Sequence, residues 1–446
     1  MALVVHMLAC LLGMGSWVAI NGMWVELPLI VHQIPEGWYL PSYLTILIQL
    51  ANVGPLIVTL VHRFWPGRLN EVGVIYSIIC IGVLACMLLA FFWRETTVVA
   101  GAPRSTALLV LMFFLSVVDC TSSVTFLPFM MRLKSHYLTT YFIGEGLSGL
   151  VPGLVALAQG AGVVHCVNAS QVLTITTSNG SEGHKLQAWY QPARFSVQVF
   201  FLFLGCMMAT CLVAFFLLNH LPVVRRERAK VRLQVNGRED SSGVKIVEVR
   251  PMISPVEGIK GLGKSSFGAG TYTWPQVIYI FILLAWANAL TNAVLPSVQS
   301  YSCLPYGSSA YHLSATLAAL ANPLACFVAM FLPNRSLKMM GVLTAAGSGI
   351  GCYIMAMAAL SPCPPLLHHH GGVVLIVLAW VLFVGTLSYV KVMIGLILRD
   401  EGHSALVWCG AVVQLGSMVG ALIMFPLVSV YSLFQSGDPC DISCPP

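Results

Sequence analysis

The chain has 446 residues, of which 58% are hydrophobic and 9% charged, with a formal net charge of +6 at neutral pH. Charged residues make up about a quarter of a water-soluble domain, so that class is excluded and an integral membrane protein is indicated. The positive balance follows from topology, as argued below, and points to no nucleic acid.

A helix crosses about 30 Å of hydrocarbon with about 20 apolar residues. The hydropathy pattern predicts eleven such spans, at 3–33, 40–62, 72–93, 107–130, 138–164, 195–219, 275–296, 308–332, 338–360, 372–398 and 404–432. Helices satisfy their own backbone in lipid, so an all-α integral membrane bundle is expected rather than a barrel of alternating strands. The opening run has no basic leader and no small-residue cleavage site, and is read as a retained first span.

That span carries Ser16, Trp17, Asn21, Trp24 and Glu26 before Pro28. Asn21 and Gly22 are weak helix formers and Pro28 lacks a donor, so a bend is predicted around them. The second span carries Gln49 and Asn52, the fourth Asp119, and the fifth Glu145 ahead of Gly146-Leu-Ser-Gly149. Two sequons, at Asn168 and Asn179, lie in the 165–194 loop. Residues 220–274 hold ten Lys or Arg and five acids and read as a flexible linker. It divides a six-span bundle, 1–219, from a five-span bundle, 275–446.

In the second bundle the seventh span carries Trp286, Asn288, Thr291, Asn292 and Pro296. The eighth carries Tyr311, His312 and Asn322, and the tenth Lys391. With the N-terminus inside, seventeen of the 22 Lys and Arg fall on the inner side, four outside (Arg94, Arg104, Lys185 and Arg194), and Lys391 within the membrane. That bias predicts a cytoplasmic N-terminus and an extracellular C-terminus. Cys166, Cys303, Cys363, Cys440 and Cys444 then sit outside, where disulfides persist. Cys363 with Cys440 or Cys444 is the preferred bridge. The nine cysteines within spans are read as packing residues.

The second half echoes the first. Leu27-Pro28 recurs as Leu295-Pro296, Leu50-Ala-Asn52 as Leu320-Ala-Asn322, and Gly73-Val74 as Gly341-Val342. Corresponding spans are six apart, an even number, so the copies share one orientation. The fold expected is two parallel pseudo-repeats, six spans plus five, major-facilitator-like or equilibrative-nucleoside-transporter-like. Such architectures hold a small molecule between the halves at mid-membrane.

Ionisable and amide side chains in lipid are expensive and mark sites. Asn21, Trp24, Gln49, Thr291, Asn292 and Tyr311 are the candidate substrate-binding residues; packing or interhelical hydrogen bonding is the competing account of each. Glu26, Asp119, Glu145 and Lys391 are candidate gating or coupling groups. Lys391 has two possible partners, Asp119 on the repeat-equivalent helix and Glu145. Glu26, near a span end, reads equally as a partly hydrated interfacial carboxylate. No phosphate-binding loop, dinucleotide fingerprint or nucleophile elbow occurs. No enzyme, cofactor or metal centre is expected, His368-His369-His370 notwithstanding, and a monomer in the lipid bilayer is favoured.

Several motifs together carry a resemblance: Gly13-Met-Gly-Ser-Trp17, Asn21-Gly-Met-Trp-Val-Glu-Leu-Pro28, Pro35-Glu-Gly-Trp38, Ser122-Ser-Val-Thr-Phe-Leu-Pro128, Ala289-Leu-Thr-Asn292, Ser361-Pro-Cys-Pro364 and Leu387-Ser-Tyr-Val-Lys391. They run from end to end, and the chain resembles the vertebrate riboflavin transporters, solute carrier family 52, most closely the type 3 members. The 165–194 and 219–274 loops match poorly. The resemblance implies sodium-independent riboflavin uptake across the plasma membrane by eleven spans. A flat, neutral vitamin rimmed by imide and hydroxyl groups suits amides and aromatics. A nucleoside carrier is the alternative within the class, and a multi-span receptor the alternative outside it.

Overall fold

The structure is a computed structural model and describes residues 2–31, 33–37, 40–65, 68–99, 101–160, 164–168, 186–190, 193–228, 272–367 and 369–435. Among these, ten helices are long and apolar enough to cross a bilayer, or eleven with a bent pair at the start taken as one span. Two small antiparallel hairpins depart from an all-helical chain. Thr97–Val99 pairs with Ala102–Arg104 between the third and fourth spans, and Val164–Asn168 with Leu186–Tyr190 between the fifth and sixth.

The first span breaks earlier than its sequence suggests. Ala2–Met14 and Val18–Ile30 meet at 52°, with the break at Gly15-Ser16-Trp17, and Asn21 and Gly22 lie inside the second half-helix. Part of the reason is local. The Ser16 hydroxyl donates to Gly13 O at 2.6 Å, offering the backbone an alternative to the helix ladder. The seventh span runs as Trp274–Ala289 and then widens to a π-helical turn over Leu290–Val294. Pro296 follows it, and a proline cannot donate in the ladder and crowds the carbonyl four residues back; Leu295 N–H instead reaches Leu290 O at 3.1 Å. Such π-turns inside helices recur at functional sites. The second span is likewise split, into Leu40–Leu50 and Val53–Phe64. The eighth, Ser308–Phe331, runs unbroken through Pro323.

Packing repeats between the halves. The first half-helix packs on the fifth span as the seventh packs on the eleventh, and the third on the fourth as the ninth on the tenth. Across the halves, the fifth meets the eighth and tenth while the eleventh meets the second and fourth. These are symmetry mates under exchange of the two copies, as a parallel pseudo-repeat requires. Glycines permit the closest approaches. A Cβ on Gly146 would lie 2.8 Å from Pro323 N of the eighth span, and one on Gly410 of the eleventh would overlap Ser123 O of the fourth. Within the second half, a Cβ on Gly416 would overlap Ala285 O of the seventh.

Residues 62–65, 68–72, 130–136, 332–337 and 398–403 lie on one side, where the linker also begins, called here the linker face. Contacts that join the halves gather there. Glu71, opening the third span, meets Arg132 of its own half at 3.0 Å and His403 of the other at 2.6 Å. His62 bonds Ser404 at 3.1 Å, and Arg399 donates to Leu133 O at 2.6 Å. The start of the linker is not free chain. Residues 222–228 are helical, Glu227 pairs with Lys134 at 3.4 Å, and Arg228 donates to Leu218 O at 2.8 Å.

Candidate functional site

The two broken helices carry the candidate amides, and each amide is held in the same way. Asn21 Nδ2 donates to Ser148 Oγ of the fifth span at 3.1 Å. Asn292 Nδ2, on the π-turn, donates to Ser417 Oγ of the eleventh at 3.1 Å and to Asn288 Oδ1 at 3.2 Å. Each serine hydroxyl passes its own proton to a backbone carbonyl, Glu145 O at 2.6 Å and Val413 O at 2.9 Å. Ser148 and Ser417 escaped the sequence reading, although Ser148 stands in Gly146-Leu-Ser-Gly149 of the fifth span and Ser417 in Gly416-Ser-Met-Val-Gly420 of the eleventh. Their 269-residue separation falls within the repeat offset, and that is the signal that locates them.

Around these bridges the polar lining continues. Thr291 Oγ1 lies 2.8 Å from Ala287 O and 3.1 Å from Asn292 Oδ1, its single proton shared between them, and accepts from Lys391 Nζ at 3.2 Å. Lys391 and Glu145 are both half-buried, and Glu145 is the carboxylate whose charge acts on Lys391. Among the described residues they form no ion pair within bridging distance. Glu145 also stands one turn from the Asn21–Ser148 bridge, so each half brings one amide–serine bridge and one charge to the same level.

The other candidates lie as follows. Gln49 Oε1 accepts from Asn52 Nδ2 at 3.1 Å beside the break in the second span. Trp24 and Tyr311 are half-buried against the cores of their own halves, and Tyr311 sets its ring edge-on to His312 at 5.6 Å. Glu26 is 0% exposed, so the partly hydrated interfacial reading does not hold. Its Oε1 accepts from Gln159 Nε2 at 2.9 Å inside the first half, away from the cleft. Asp119 is also 0% exposed and among the described residues meets no lysine; its Oδ2 accepts the Ile20 N–H at 2.9 Å, so of the two pairings open to Lys391 the geometry leaves Glu145.

Cys363 is disulfide-bonded, while Cys440 and Cys444 lie outside the described residues. Cys303 is a buried free thiol, contrary to its expected place among outer disulfide cysteines. The nine cysteines within spans are free thiols. Asn179 falls outside the described residues, and Asn168 ends the Val164–Asn168 strand. Among the described residues, no cluster of three His, Cys, Asp or Glu is arranged to hold a metal.

On the far side from the linker, the Val18–Ile30 half-helix packs on the fourth, fifth and sixth spans of its own half. The π-turn of the seventh packs on the eleventh. On that side each broken helix packs on its own bundle.

The family model "Solute carrier family 52, riboflavin transporter" matches residues 1–436. The chain is 66% identical to "Riboflavin transporter 2" of Salmo salar and 52% identical to "Solute carrier family 52, riboflavin transporter, member 3" of Homo sapiens, each over the full length of both chains. Among solved structures it is similar to the major facilitator proton:xylose symporter XylE, with a TM-score of 0.58 and 12% identity, covering 96% of this chain and 89% of that one. The human organic anion transporter MFSD10 gives a TM-score of 0.55 at 10% identity, covering 96% and 94%. These two likenesses establish the major facilitator fold.

Proposed function

The chain belongs to solute carrier family 52, the riboflavin transporters, and from that premise we propose that it takes up riboflavin at the plasma membrane by alternating access around a cleft lined by the polar residues just described. It is a transporter and not an enzyme. The observation that carries the reading is agreement over the whole chain with relatives named as riboflavin transporters.

The linker face is cytoplasmic, which the Lys and Arg bias supports, and the C-terminus extracellular. Closure at the linker face makes this the outward-open state. Riboflavin enters from outside and lies between the halves. Its imide and ribityl groups meet Asn21, Gln49, Thr291 and Asn292, and Trp24 or Tyr311 stacks on the ring. Glu145 and Lys391, one from each half, draw the bundles together as the site closes, with no sodium ion required. The linker-face contacts then part and the vitamin leaves inward. Asn168 and Asn179 would carry glycans on the outer loop, and Cys440 or Cys444 would complete the bridge from Cys363.

The test is uptake of labelled riboflavin into cells displaying the chain. Flux should saturate, persist without sodium, and fall under excess unlabelled flavin but not excess nucleoside. Surface protein with no uptake above empty cells would overturn the reading, and nucleoside competition would move the substrate to that class. Within the site, Ser148→Ala removes the serine acceptor of the Asn21 amide, and Ser417→Ala one of the two acceptors of the Asn292 amide. Interhelical hydrogen bonds in membranes average about 0.6 kcal/mol, so each change should raise KM by about 2- to 5-fold with little loss of Vmax. A change confined to one serine would count against a site shared by both halves.

A further inference from the structure

The second half of the first span begins at a break in mid-membrane, and a helix start leaves its first N–H groups without intrahelical partners. Position 17, where a Ser, Thr, Asp or Asn would normally supply the cap, is a tryptophan and makes no side-chain bond to the helix. The missing acceptor comes from another span. Asp119 Oδ2, on the fourth, accepts the Ile20 N–H at 2.9 Å, and the Ala19 N–H also faces this carboxylate. Asp119 is fully buried, and among the described residues no Lys, Arg or His lies within ion-pair distance of it. A helix N-terminus favours a negative group through its aligned peptide dipoles, and that is the compensation the geometry provides.

The neighbours of Asp119 extend the arrangement. Ser122 Oγ lies 2.7 Å from Asp119 O of its own helix and 3.1 Å from Ser16 O at the other edge of the break, its single proton shared between them. Ser123 Oγ accepts from Gln414 Nε2 of the eleventh span at 2.9 Å. One turn of the fourth span therefore grips the break and also touches the opposite half. The same device appears nearby, where the buried Glu36 carboxylate accepts the Ser105 N–H, at the start of the fourth span, at 2.7 Å.

We propose that Asp119 is a positioning residue for transport: its carboxylate caps the Val18–Ile30 half-helix from outside and so fixes Asn21 and Trp24 at the cleft. It carries no proton for coupling and gates nothing through Lys391. The inference rests on the riboflavin reading for its transport readout, but not for its structural one.

Two substitutions separate a cap from a charge. Asp119→Asn keeps an acceptor oxygen at the same reach and removes the charge; Asp119→Glu keeps the charge and displaces it by a methylene. A cap predicts that Asn retains at least about half of wild-type uptake, with KM within about 2-fold and an unchanged pH profile. Glu and Ala should raise KM by about 10-fold or more per molecule at the surface. Purified protein should melt in the same order, Asn above Glu and Ala, a readout that needs no transport. Glu outperforming Asn, an Asn variant whose pH profile flattens, or all three variants matching wild type in KM and melting would each overturn the proposal. A wild-type protein that moved no riboflavin would sink the functional reading alone, leaving the melting order to judge the cap.

Discussion

Gly410→Val is expected to cut riboflavin uptake about 10-fold or more while leaving the amount of protein at the surface near wild type. Gly410 lies on the eleventh span where it crosses the fourth of the other half, and any Cβ there would overlap Ser123 O. Overpacking of a tight contact costs about 1–3 kcal/mol, and each 1.4 kcal/mol is a factor of about ten in population. The cost falls only on the state in which the halves touch at this point, so the equilibrium shifts away from it and the bundles need not unfold. Gly416→Val is the contrast. Its Cβ would overlap Ala285 O within one half, a contact both states keep, and the expected loss is of folded protein. Uptake normalised to surface biotinylation separates the two. A Gly410 variant that failed in the manner of the Gly416 one would deny that this crossing opens during transport.

Lys391→Met should lower uptake by about 10- to 100-fold, which is about 1.4–2.7 kcal/mol of lost transition-state stabilisation. Methionine keeps most of the length and removes the charge. It leaves Thr291 without its donor and Glu145 without the one cation that acts on it. A charge left uncompensated in a low-dielectric site is penalised more than the absence of both partners. Glu145→Gln in the Lys391→Met background should therefore recover part of the loss, measured as Vmax/KM at equal surface amount. A double variant worse than the product of the singles would show that the two act on riboflavin separately.

Much of the fold was legible in the sequence because the bilayer is a demanding solvent. Span count, helix type and the doubled architecture all follow from apolar run length and from the recurrence of Leu27-Pro28 as Leu295-Pro296. The site was legible in part. Thr291 and Asn292 stand on a π-turn that Pro296 makes understandable, yet Pro28 does not break its own helix. The first span breaks at Ser16 because Ser16, Ser122 and Asp119 together supply partners for the opened backbone, and such partners lie about a hundred residues away along the chain. The same limit hid Gln159, which pairs with Glu26, and Gln414, which ties the eleventh span to the fourth. A buried amide is visible in sequence as a costly residue, but its acceptor is decided by the packing of other helices.

Glu71 holds two partners, Arg132 from its own bundle and His403 from the opposite one. When the bundles part at the linker face, His403 leaves and Arg132 stays, so the carboxylate is never stranded. The share of the parting energy that falls on Glu71 is one hydrogen bond to a charged group, about 1.5–3 kcal/mol, beside the His62–Ser404 and Arg399–Leu133 bonds that part with it. That slows the step by a factor of about 10–150, enough to bias the resting carrier outward and too little to arrest its return after each delivery.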